Sequence, residues 1–157
     1  MSTLIERTKS AYEYPLLIKQ LFQAPLVNNP EQEIVYREQL SMTYKTWKER
    51  VNKLANVLTS IGVTQGSTVA VMDWDSHRYL EAYYAVPMMG AVLHTINVRL
   101  SPEQMVYTID HAEDDVIICH ADFLPLLEAV KGRIYEGRKF ILIDEGGEIA
   151  KHHFQFE

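Results

Sequence analysis

The sequence predicts an α/β domain built on a parallel sheet covered by helices, and three observations carry that reading. First, Ser67–Met72 is an apolar, β-branched run without polar alternation, as expected of a strand covered on both faces, and Asp115–Cys119 and Lys139–Ile143 read as further strands. Second, strand and helix signals alternate four times, with connections too short for antiparallel helix pairs. Third, the helices between them carry start and stop signals, sharpest in Ser101-Pro102-Glu103-Gln104. There Ser serves as N-cap, Pro takes the first helical position, and Gln follows three residues after the cap.

In chain order, Met1–Tyr14 reads as a loose arm. Pro15–Phe22 reads as a short helix begun by Pro15, with Asn28-Asn29-Pro30 as the turn beyond it. Ile34–Arg37 and Leu40–Thr43 suggest two short paired strands. Thr43 caps the next helix, where Tyr44, Trp47, Val51, Leu54, Ala55, Leu58 and Ile61 form one apolar stripe and Gly62 marks the stop. After the Ser67–Met72 strand, Asp75 or Ser76 caps a well-buried helix from His77 to about Met89, which Pro87 kinks or ends. Gly90 turns the chain into a strand at Ala91–Ile96. Helix Pro102–His111, strand Asp115–Cys119, helix Asp122–Val130 capped by Asp122, and strand Lys139–Ile143 complete the series. Glu145–Glu157 is polar and turn-rich. Three segments are expected: an arm and short helix (1–32), an α/β unit (33–144) and a polar tail (145–157). The last strand, with no core signal after it, leaves an uncovered sheet edge.

Composition bounds the function. The chain has 157 residues, 47% of them hydrophobic, enough for a real core. A net charge of −6 argues against a nucleic-acid surface. The single cysteine, Cys119, fits a buried small hydrophobe in a reducing compartment. The sequence shows no signal-type apolar run and no transmembrane stretch, so a cytoplasmic location is expected. Walker-type, Gly-x-Gly-x-x-Gly and Gly-x-Ser-x-Gly motifs are absent. The six histidines give no His-x-x-x-His pair, and no metal site is expected. His152-His153 reads as a solvated tail, His94 as a core histidine with one hydrogen-bond partner, and His111 as a dipole contact at a helix end. Glu113-Asp114-Asp115 reads as a solvated loop, and Tyr79, Tyr83 and Tyr84 as packing at helical spacing.

From about Glu33 to Ile143 the chain resembles the N-terminal part of AMP-forming acyl-CoA synthetases, the adenylate-forming superfamily. The residues that carry the likeness are Met42-Thr43-Tyr44, the Trp47–Gly62 helix, Val69-Ala70-Val71, the run Arg78–Pro87 and, above all, Gly90–Glu103. Their wording is similar to the medium- and long-chain fatty-acid branch. The resemblance implies the N-terminal portion of the adenylate-forming fold and a two-step ligase reaction. A fatty-acid carboxylate attacks the α-phosphorus of ATP, and coenzyme A then displaces AMP. In a full-length relative the cofactors would be ATP, Mg2+ and CoA. The Ser/Thr/Gly-rich phosphate loop ending in Pro-Lys-Gly is absent from these residues, so no catalytic residue is assigned. None of those cofactors is expected to act on this chain alone. By resemblance Trp74, Ser76, His77, Thr95 and Asn97 line a substrate-pocket rim on the acyl and CoA side, and a homodimer is a further expectation. The alternative is a non-catalytic interaction or dimerisation module from a truncated or split gene.

Overall fold

The computed structural model describes residues 8–12, 15–134 and 136–146. The expected arm therefore falls largely, and His152-His153 wholly, outside the described residues. The elements are α1 (Ile18–Asn28), β1 (Glu33–Tyr36), β2 (Leu40–Thr43), α2 (Tyr44–Ser60), β3 (Thr68–Met72), α3 (His77–Met88), β4 (Val92–Thr95), α4 (Pro102–His111), β5 (Val116–His120), α5 (Leu124–Val130) and β6 (Lys139–Ile143).

β1 and β2 form an antiparallel hairpin, and the other four strands form a parallel sheet in the order β4-β3-β5-β6. Each covered strand sends alternate side chains to opposite faces. Ala70 and Met72 of β3 join Ile117 and Cys119 of β5 and Phe140 of β6 under α4 and α5. Val69 and Val71 join Val116, Ile118 and Ile143 under α2 and α3. Both faces are thus apolar, which is why these runs lack polar alternation. A third cluster, built on Phe22, Met42, Trp47, Val51 and Ala85, seats α1 and the hairpin on α2 and α3.

The helix ends follow their local chemistry. The Thr43 hydroxyl accepts from the Thr46 amide, and Ser101 and Gln104 close a reciprocal capping box. At the end of α2, Gly62 takes φ +93°, so its amide donates to Thr59 O at 3.0 Å and that of Val63 to Leu58 O at 2.9 Å. This pair of bonds satisfies the last carbonyls of the helix.

Three expectations are corrected. The first helix begins at Ile18, not Pro15, and runs to Asn28 straight through Pro25. Packing of Phe22 on Trp47, with ring centroids 4.8 Å apart, holds it despite the missing Pro25 donor. Asp122 does not cap α5. It lies in a 3-10 turn (Ala121–Phe123), and its amide donates to the His120 imidazole at 3.1 Å. Glu113-Asp114-Asp115 is not a solvated loop, because Asp114 is buried and Asp115 Oδ2 accepts the Thr68 amide at 2.9 Å.

Candidate functional site

Strand order places the site. From β3 the chain moves outward to β4, then crosses back over β3 to β5 and continues to β6. The turn after β3 leads to α3 on one face, and the turn after β5 leads to α5 on the other. The switch-point crevice of an open α/β sheet, its usual ligand position, therefore falls between the carboxyl ends of β3 and β5.

Two turns meet across that crevice. The Trp74 indole N–H, from the β3–α3 turn, donates to Asp122 Oδ2 at 2.7 Å. The Trp74 ring also packs on Phe123, with centroids 4.6 Å apart and planes at 51°. Trp74 is still 42% exposed, so part of the indole is presented to solvent.

Behind it lies a polar layer. The Ser76 hydroxyl donates to Asp73 Oδ2 and accepts from the Arg78 and Tyr79 amides at 3.1 and 3.3 Å, capping α3. Asp73 Oδ1 is buried without a hydrogen-bond partner. Burial raises the Asp73 carboxyl above its ordinary range, with Ser76 and His120 pulling the other way. His120 Nδ1 accepts the Asp122 amide, so the neutral ring carries its proton on Nε2, 3.8 Å from Glu145 Oε2. Glu145 in turn accepts from Arg78 at 2.6 Å, which holds its carboxyl below the usual range. Beneath them the buried Cys119 thiol is pushed up to about 12 by desolvation and is chemically quiet.

The residues expected at the rim divide. Trp74 stands at the crevice. Ser76 is buried beneath it as a helix cap, with its hydroxyl committed. His77 is buried and packs against Tyr36 of the hairpin at 5.2 Å, away from a free rim position. Thr95 and Asn97 are exposed at the end of β4. Thr95 sits beside the Tyr79 phenol, which burial pushes up to about 12, and Asn97 Oδ1 accepts the Arg99 amide at 3.0 Å to fix the turn. Sequence reasoning missed Asp73, His120, Asp122 and Glu145 as a group. They come from three strand ends, and no local spacing relates them.

A concavity of about 440 Å³ opens at the opposite end of the sheet among Asp110, Glu113, Asp114, Asp115, Gly137 and Arg138. Three of its carboxylates are tied into the fold: Asp110 to Arg138 at 2.8 Å, Asp114 to His94 at 2.9 Å and Asp115 to the Thr68 amide at 2.9 Å. Among the described residues no group of three or more His, Cys, Asp or Glu could hold a metal ion.

Comparison with known proteins decides the family. The model of the AMP-binding enzyme family matches residues 22–156. The chain belongs to the AMP-binding enzyme family. It is 44% identical over 103 residues to a long-chain-fatty-acid–CoA ligase of Thermus thermophilus, covering 66% of this chain and 19% of that protein. It is 41% identical over 105 residues to a medium-chain-fatty-acid–CoA ligase of Ectopseudomonas oleovorans, covering 65% of this chain and 19% of that protein. Among solved structures, the anthranilate CoA ligase AuaEII in complex with anthranoyl-AMP superposes with a TM-score of 0.76 at 23% identity. That match covers 83% of this chain and 26% of the ligase. The α/β sheet is therefore that of the N-terminal region of the AMP-binding ligase fold. The chain spans about one fifth of the length of the curated relatives it matches. No helix among the described residues is long and apolar enough to cross a membrane.

Proposed function

We propose that this chain is the N-terminal segment of a fatty-acyl-CoA ligase that converts a carboxylate and ATP to an acyl-adenylate and then to a CoA thioester. The observation that supports it is identity above 40% to long- and medium-chain ligases over the region holding β3, α3 and β4. In this reading ATP, Mg2+, CoA and the fatty acid are ligands of the whole enzyme. The crevice edge, with Trp74, Ser76, His77, Thr95 and Asn97, belongs to the acyl and CoA side. In this reading Trp74, Thr95 and Asn97 face the ligand, Ser76 supports the turn as the cap of α3, and His77 packs against the hairpin. The phosphates would be held elsewhere, since no Pro-Lys-Gly loop occurs in these residues, and the chain alone is expected to be inactive.

A DNA read across the Glu157 codon tests this. An open frame encoding a Ser/Thr/Gly-rich phosphate loop is the expected result. A stop there, with no partner gene supplying the loop, would overturn the ligase reading. It would leave the second one, a pairing module, which the open edge of β6 favours: among the described residues β6 pairs only with β5.

A further inference from the structure

We propose that Asp122 is a positioning residue for Trp74, and that the held indole is a substrate-contact surface at the β3–β5 crevice. This rests on the reading of that crevice as the acyl and CoA edge of a ligase.

The geometry is built from one short turn. The Asp122 amide is fixed on His120 Nδ1 at 3.1 Å, which sets the backbone from which its carboxylate reaches across the crevice. Asp122 Oδ2 then accepts the Trp74 indole N–H at 2.7 Å. The next residue, Phe123, is buried and packs on the Trp74 ring, and it also meets the His120 ring edge-on at 6.3 Å. His120, Asp122 and Phe123 thus grip a tryptophan that arises on the other crossover, 48 residues earlier in sequence.

A tryptophan that merely sealed the core would be buried like Trp47, which is 2% exposed. Trp74 instead keeps 42% exposure while its N–H and part of its ring are both committed. Fixing a large ring in advance removes the ordering cost a ligand would otherwise meet. An indole with an open surface takes planar or aliphatic groups by stacking and dispersion. Asp122 itself is more than half exposed, so its carboxylate gains little by burial, and holding the indole is the role its geometry gives it.

The test uses the 157-residue chain, labelled with 15N, and the two separable indole resonances of Trp47 and Trp74. Asp122→Ala is expected to move the Trp74 indole signal towards that of a free indole and to raise acrylamide quenching, whereas Asp122→Asn, which keeps an acceptor oxygen, retains the wild-type position. An unmoved signal in Asp122→Ala would overturn the positioning role outright. The ligand arm titrates coenzyme A and, separately, decanoate into the product of the whole reading frame that contains this chain, each followed by a label-free affinity measurement. Asp122→Ala is expected to weaken the responding probe about three- to tenfold, with Asp122→Asn near wild type. If Trp74→Ala binds the probe as well as wild type, or neither probe binds, the rim reading fails and the inference falls with it. If Trp74→Ala loses binding while Asp122→Ala keeps it, the rim reading stands and the positioning role is wrong.

Discussion

His94 Nδ1 lies 2.9 and 3.0 Å from the two carboxylate oxygens of Asp114, whose side chain is completely buried. The contact ties β4 to the turn between α4 and β5, and so clasps an edge strand to the sheet centre. Asp114→Ala would leave the imidazole without its partner in a site only one-fifth exposed. A loss of about 2–3 kcal/mol is expected by urea unfolding. His94→Gln, which can still donate to the carboxylate, should cost less.

Acid should loosen the hairpin through His77. Burial, with Arg78 and Arg50 nearby, lowers its pKa from 6.5 to about 4. Between those values the unfolded chain binds a proton that the folded chain refuses. Stability is therefore lost as pH falls from about 6.5 to about 4, by up to about 3 kcal/mol. Asp73 and Asp114, whose pKa values are raised by burial, act in the opposite sense. Above 3.8 they favour unfolding increasingly as pH rises through their folded-state values. A melting series from pH 4 to 7 should show an acid-side fall in Tm that His77→Gln flattens.

Gly62 tests the end of α2. Its φ is +93°, and a β-carbon there would meet only Lys139 Nζ, at 3.9 Å. Gly62→Ala should cost about 1 kcal/mol through backbone strain alone. Ser101→Ala, which breaks the capping box of α4, should cost a similar amount. A double variant should be close to additive, because the two sites sit on different helices.

Cys119 should resist alkylation. The thiol is wholly buried and held at a pKa of about 12. Iodoacetamide at pH 8 is expected to label it only at the rate of unfolding. Rapid labelling under native conditions would contradict the packing of β5 described above.

Much of the fold was legible in the sequence because local and tertiary preferences agree. The stripe from Tyr44 to Ile61, the Thr43 cap and the Ser101–Gln104 box each state in a few residues what the structure shows. The first helix was misplaced because Pro15 reads as a first helical residue, whereas the helix begins at Ile18 and the aromatic contacts of Phe22 that hold it lie far away in sequence. Asp122 looked like a cap because acids before apolar runs usually are; in the structure its carboxylate accepts from Trp74 instead, and its amide donates to the His120 imidazole. The polar layer of Asp73, His120 and Glu145 was invisible for a related reason. Its members are brought together only by the order in which three strands pair.

Fatty-acid-dependent ATP–pyrophosphate exchange would test the ligase reading most directly. It should be measured on the product of the whole reading frame that contains this chain and, in parallel, on the 157-residue chain. The predicted result is exchange that depends on a medium- or long-chain fatty acid in the former and none in the latter. Exchange by the 157-residue chain alone, or no exchange by the whole product with any fatty acid, would contradict it.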